Sequence, residues 1–268
     1  MTNARSIAAA QTVPVRGDVE ANVEQQVRLT HVAAEEHAQI LVFPELSLTG
    51  YELDLASDLA FSETDPRLTP LVDAASSCSM TLIAGAPVRM GPRLHIGAFI
   101  IAADRTIALY TKHRLGAFPA SARCDGIVPP AEATVFHPGS QNPLVRFAGS
   151  TGAVAVCADI GRPSHPESAA ERGARAYFAS MFVIPSEFPR DVATLKTYAM
   201  EHAMAVVLAN YGGPSGGLAA AGGSAIWSET GELLVQLEAR GIGVAVAVEG
   251  ANGWRARSVM LGERQAQR

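Results

Sequence analysis

A single mixed α/β domain is the fold class this sequence predicts, on three observations. Short apolar runs alternate with helix-patterned stretches from end to end. Several runs, such as Leu41-Val42-Phe43 and Val154-Ala155-Val156, are apolar at every position, as strands buried on both faces are. The chain has 268 residues, 48% hydrophobic and 18% charged, which is ample for a large core. No internal repeat or linker divides it. One domain is therefore expected over 1–268, with its core at about 6–248 and a C-terminal tail at about 249–268.

In chain order, Ser6–Gln11 reads as a buried strand. Asp18 is placed to cap the following helix, where Val19, Val23 and Val27 recur on one face. Ile40–Phe43 is a second buried strand, ended by Pro44. A helix is expected over Leu68–Ser77 and a strand over Thr81–Pro87. Phe99–Ala102 and Ile107–Tyr110 flank Asp104-Arg105-Thr106 as a hairpin. The segment Leu115–Pro143, with five prolines and three glycines, reads as a long loop, a length that usually signals function. Strands follow at Leu144–Phe147 and Ala153–Cys157, then a helix at about Pro166–Arg172 and a strand at Tyr177–Val183. The helix Asp191–Met204 leads into the strand Ala205–Asn210. Gly212–Gly223 is a loop, Ser224–Trp227 and Leu233–Leu237 pair around Glu229-Thr230-Gly231, and Val244–Val248 is the last strand.

The formal net charge is −5 and the pI about 5.8, with no basic face, so nucleic acid and anionic membranes are poor partners. Apolar stretches such as Ile96–Ala103 fall short of the roughly 18 residues of a membrane span. The run Ile7–Ala10 is too brief for a secretory signal. Cys78, Cys124 and Cys157 suggest no disulfide framework, so a reducing, cytoplasmic setting is expected. The seven histidines form no H-x-x-x-H pair and there is no Cys-x-x-Cys, so no metal site is expected.

Three apolar strands deliver a reactive residue at their C-terminal ends: Glu45 after Leu41-Val42-Phe43-Pro44, Lys112 after Ala108-Leu109-Tyr110-Thr111, and Cys157 after Val154-Ala155-Val156. Ligand sites of open α/β sheets collect at such ends. A thiol is a good nucleophile once a base removes its proton. Glu45 suits that base, and Lys112 with the backbone N–H of Ala158 suits the charge that develops on an attacked carbonyl. Taken singly, each residue also has an ordinary reading: a buried small hydrophobe for the cysteine, solvated loop residues for the others.

The local sequences go further. Leu41–Tyr51 (LVFPELSLTGY), Tyr110–Leu115 (YTKHRL) and Gly152–Asp159 (GAVAVCAD) resemble the glutamate, lysine and cysteine motifs of the nitrilase superfamily of carbon–nitrogen hydrolases, in that order. Gln11, Glu201-His202, Asn210 and Gly223-Ser224-Ala225-Ile226 extend the resemblance over nearly the whole chain. It implies a four-layer α-β-β-α sandwich, a Glu45–Lys112–Cys157 mechanism needing no metal or organic cofactor, and a homodimer or larger homo-oligomer joined through an outer helical face. Glu132, standing before Phe136-His137-Pro138-Gly139, matches a second glutamate that many members carry, which would position substrate or tune the Lys and Cys. Ala158, Met181 and Phe182 are expected to line the substrate pocket, with Glu187 or Arg190 offering a charge to one end of it. Ser164 and Glu167 stand where the family commonly has Glu and Arg, so support behind the nucleophile is expected to be built differently.

The expected activity is cleavage of a small amide through a cysteine thioester. An N-carbamoyl-amide hydrolase or a nitrilase is the alternative among enzymes. A catalytically silent binding or assembly subunit is the alternative outside them, and the intact Glu45, Lys112 and Cys157 argue against it. Gly213-Pro214-Ser215-Gly216-Gly217 satisfies the serine-hydrolase pattern but lacks the strand–turn–helix context that pattern needs.

Overall fold

The computed structural model describes residues 5–123 and 126–262, and places two β-sheets face to face. In chain order the strands are β1 (Ser6–Gln11), β2 (Ile40–Val42), β3 (Thr81–Met90), β4 (Arg93–Ile101) and β5 (Ile107–Thr111), then β6 (Val145–Phe147), β7 (Ser150–Val156), β8 (Ala176–Ser180), β9 (Ala205–Ala209), β10 (Ala225–Trp227) and β11 (Leu233–Gln236). The chain then returns to the first sheet as β12 (Gly243–Gly250) and β13 (Gly253–Met260). The first sheet runs β13-β12-β1-β2-β3-β4-β5 and the second β11-β10-β9-β8-β7-β6. At their centres β1-β2-β3 and β7-β8-β9 are parallel, so strand ends gather on one side of each sheet.

Side-chain alternation explains the stacking. Ile7 and Ala9 of β1, Ile40 and Val42 of β2, and Val154 and Val156 of β7 point into the layer between the sheets. Their neighbours Ala8, Ala10 and Leu41 face the helices α1 (Val19–Glu35) and α3 (Thr69–Ser77), which supply Val23, Leu29, Leu71 and Ala75. Ala153 and Ala155 face the other way, onto Ala169 of α4 (Ser164–Glu171) and Leu195 and Ala199 of α5 (Phe188–His202). A short α2 (Ala56–Leu59) lies in the connection before α3. Helices outside, sheets inside: this is the four-layer α-β-β-α sandwich that the resemblance implied. Asp18 caps α1 as expected, its side chain accepting from the Ala21 N–H at 3.0 Å. Among the described residues no helix is long and apolar enough to cross a membrane.

Three expectations need correction. β3 and β4 pair as one long hairpin, where the sequence suggested separate shorter strands. Pro87, where the expected strand ends, keeps its place in the register, and Gly91 and Pro92 form the turn. The strand read as Tyr177–Val183 leaves the sheet at Ser180. Val244–Val248 is not the last strand, because part of the expected tail forms β13, an edge strand whose exposed Arg255 and Arg257 hid its pattern.

Candidate active site

The ends of β2, β5, β7 and β8 converge between the two sheets. β2 stops at Val42 and Glu45 follows Pro44. The turn is closed by Leu46, a non-glycine residue at φ +52°. The turn can lie this close to β3 because residue 85 is glycine: a Cβ there would sit 2.5 Å from the Leu46 nitrogen and 2.8 Å from the Pro44 carbonyl oxygen. Lys112 follows β5, its N–H bonded to the Ile96 carbonyl at 2.8 Å and its own carbonyl accepting from Gly139 at 2.7 Å. Cys157 follows β7 at φ +43°, a left-handed conformation unusual for this residue type, and opens a tight turn, Cys157–Gly161. Strain of this kind at a strand end presents a side chain away from the sheet. The partly exposed thiol donates to the Phe182 carbonyl at 3.7 Å.

Lys112 is fully buried and bonded to two carboxylates, Glu45 Oε1 at 2.6 Å and Glu132 Oε1 at 2.7 Å. Glu132 comes from the long loop, which it also fastens: its Oε2 accepts from the Gly116 N–H at 2.7 Å. The Tyr51 hydroxyl donates to Glu132 Oε1 at 2.8 Å. Glu132 thus accepts three donors, whereas Glu45 Oε2 is buried without a hydrogen-bond partner. One lysine cannot neutralise two buried carboxylates, and the less-solvated one takes up the proton more readily. Burial raises the Glu45 pKa to about 7, the Lys112 charge opposing the rise and Glu132 adding to it. Burial alone would favour a neutral Lys112, but the attraction of Glu45 and Glu132 outweighs it and holds the ammonium above its ordinary range. Burial and the Glu45 carboxylate push the Cys157 thiol well up, against the pull of Lys112, so the resting sulfur keeps its proton.

Glu132 and Cys157 open on a cavity of about 440 Å³, also lined by Tyr51, Leu115, Gly116, Phe118, Ala158 and Ile160, while Glu45 and Lys112 are fully buried and outside its lining. The lining also carries charge: Arg114, Glu187, Arg190 and Asp191, with Thr194. Of the residues expected in the pocket wall, Ala158 lines the cavity. Phe182 is buried behind it, its ring 4.8 Å from Tyr51 and 5.7 Å from Phe118. Met181 is elsewhere: it packs in the outer core with Tyr177, Leu195 and Leu208. Successive residues after β8 still point to opposite sides, so Phe182 and Met181 cannot share a wall. The pattern does not reveal Tyr51 or Phe118 in the lining, although Tyr51 closes the glutamate motif. Asp159, in the cysteine motif, is likewise central, its carboxylate accepting from Tyr110, His113, Arg114 and Val156. Ser215 holds a structural contact, donating to Glu52 Oε1 at 3.1 Å and accepting from the Tyr51 N–H at 2.9 Å. Cys78 lies beside His31, at 3.5 Å, and Cys124 is outside the described residues.

Residues 6–249 match the sequence pattern described as carbon-nitrogen hydrolase. The glutamine-dependent NAD(+) synthetase of Thermotoga maritima is 24% identical over 236 residues, covering 85% of this chain and 39% of that protein, so the chain spans about two fifths of that relative's length. A hydrolase of Pseudomonas protegens is 28% identical over 215 residues, covering 77% of this chain and 70% of its own. Among solved structures, an amidase from Nesterenkonia sp. superposes with a TM-score of 0.80 at 26% identity, covering 92% of this chain and 90% of that one. A mutant of that amidase, with a TM-score of 0.78 at 25% identity and coverage of 91% and 90%, carries the acetamide moiety of fluoroacetamide added covalently at its active-site cysteine.

Proposed function

The chain belongs to the carbon–nitrogen hydrolase family, and from that premise we propose that it is an amidase that hydrolyses a small primary amide through a thioester on Cys157. One observation carries the reading: Glu45, Lys112 and Glu132 are buried as a hydrogen-bonded unit beside a thiol that opens on a cavity sized for a small molecule. In the first half-reaction Glu45 takes the thiol proton and the sulfur attacks the amide carbonyl carbon. Lys112 and the Ala158 N–H stabilise the tetrahedral oxyanion. Glu45 then passes its proton to the leaving nitrogen, the C–N bond breaks and ammonia departs. In the second, Glu45 removes a proton from water, the hydroxide attacks the thioester, the C–S bond breaks and the sulfur recovers the proton as the acid leaves. Glu132 holds Lys112 in place without entering these transfers. A carbamoyl amide or a nitrile is the alternative at the same thiol.

A second reading is favoured by the charged lining of the cavity. Arg114 suits a carboxylate, and Glu187 and Asp191, which share Arg190 as their ion-pair partner at 3.5 and 2.9 Å, keep one negative charge that suits an ammonium, so the amide is carried by a zwitterionic amino acid such as glutamine. The name of the Thermotoga maritima relative agrees with that substrate. Ammonia release and intact mass, followed over aliphatic amides, glutamine, N-carbamoyl amino acids and nitriles, test both readings. An acyl adduct on Cys157 that is absent from Cys157→Ala is the expected result. Full activity in Cys157→Ala would overturn the mechanism.

A further inference from the structure

We infer that His165 is a positioning residue, which acts through Tyr110 and Asp159 to hold the end of the Lys112 strand in register with the Cys157 turn. The inference rests on the roles proposed above for Lys112 and Cys157.

Asp159 is buried, and its carboxylate joins two parts of the site. Oδ1 accepts from the backbone N–H groups of His113, at 3.1 Å, and Arg114, at 2.8 Å, just after Lys112. Oδ2 accepts from the Val156 N–H, just before Cys157, at 3.1 Å, and from the Tyr110 hydroxyl at 2.7 Å. Tyr110 has one hydroxyl hydrogen, and Asp159 takes it. At His165 Nε2, 3.0 Å away, Tyr110 can therefore only accept, so Nε2 carries a hydrogen. In a neutral ring Nδ1 is then an acceptor, and the Tyr177 hydroxyl donates to it at 2.8 Å. Every donor in the chain Tyr177, His165, Tyr110 points toward Asp159. Burial also lowers the His165 pKa, in keeping with a neutral ring. Tyr110 and Tyr177 are fully buried, so without His165 one oxygen loses its donor and one hydroxyl its acceptor. Released from that side, the Tyr110 ring is free to shift, and it sits two residues before Lys112. His165 lies on α4, within the segment where Ser164 and Glu167 depart from the usual family residues.

The test uses the full chain and iodoacetamide, with alkylation of Cys157 and of Cys78 read separately by peptide mass. Cys78 is a partly exposed thiol remote from the site and serves as the internal reference. His165→Leu is expected to slow Cys157 relative to Cys78 by about 10-fold, as the loss of one buried hydrogen-bond link would. His165→Gln, which can both donate and accept, is expected to stay within about 3-fold of the wild type. On whichever amide the wild type hydrolyses, His165→Leu lowers kcat and leaves KM nearly unchanged. Should His165→Leu not fold, Tyr177→Phe removes the donor that fixes the tautomer, and an unchanged Cys157 rate there overturns the inference. So does wild-type behaviour in a folded His165→Leu, or a His165→Gln as impaired as His165→Leu. If the wild type hydrolyses no amide, the functional proposal fails, and the alkylation ratio still decides this one.

Discussion

At the scale of single residues, the site is a problem in sharing protons. Two carboxylates and one ammonium are buried together, and the surplus negative charge falls on Glu45, because Glu132 is held by Lys112, Tyr51 and Gly116. In its proposed role as base Glu45 works only when ionised, so kcat/KM should rise with pH through about 7, the value to which burial has raised it. A pH–rate profile whose acid limb falls instead in the ordinary carboxylate range would remove Glu45 from that role. The same shift acts on stability with a definite sign. The folded pKa lies above the ordinary value of 4.5, so this contribution is fully present below that value and lost as pH rises through about 7. Glu45→Gln, neutral throughout, should therefore be inactive yet gain in Tm relative to the wild type between about pH 5 and about pH 8. Sequence context identified Glu45, Lys112 and Cys157 because each stands in a distinctive local motif. It missed Asp159 and His165 because their effect depends on contacts between residues 40 or more apart in the chain, which no local pattern encodes.

At the scale of elements, the strand ends are held by close approaches that leave no room for adjustment. Gly85 lets β3 pass beneath the Glu45 turn, and the Leu48 N–H bonds to the Gly85 carbonyl at 3.0 Å. A methyl group at Gly85 meets backbone atoms, which cannot rotate away as a side chain would. Gly85→Ala should cost about 1–3 kcal/mol of stability. It should also reduce kcat/KM by about 100-fold, because a displacement near 1 Å at a reacting group has that effect. Denaturant unfolding and steady-state kinetics check the two effects. A folded variant of wild-type activity would show that the turn tolerates the shift. Elements with uniform apolar pattern, such as β1 and β9, were legible in the sequence nearly to the residue. β13 was not, because an edge strand exposed on both faces from Arg255 to Ser258 carries the arginines and glycine that otherwise mark a tail. The start of α5 was placed three residues late, since Pro189 reads as a break although it fits the first turn of a helix.

At the scale of the whole molecule, the site exists only where the two sheets meet. The first sheet contributes Glu45 and Lys112, and the second contributes Cys157 and the Phe182 carbonyl. Hydrogen bonds cross between them close to Glu45: Ser180 donates to the Phe43 carbonyl at 2.8 Å, and the Tyr211 hydroxyl donates to the Glu45 carbonyl. The spacing of the sheets is set by the side chains packed between them, and Phe178 is among the largest of these. Its ring lies 5.5 Å from Phe147, and a Cβ on Gly152 would come within 2.3 Å of it, so the layer is tightly filled there. Phe178→Ala should cost about 3–5 kcal/mol, with a fall in Tm on the order of 10 °C. Leu29→Ala, in the outer layer between α1 and the first sheet, should cost a comparable 2–5 kcal/mol or so. Measured at a temperature where both variants are fully folded, their activities should part. Phe178→Ala alters the gap across which the Cys157 thiol faces Glu45, its proposed base, and kcat/KM should fall about 10-fold or more. Leu29→Ala loosens a layer that no member of the site touches, and its activity should stay near that of the wild type. Equal losses in the two variants would mean that activity follows global stability and not the distance between the sheets.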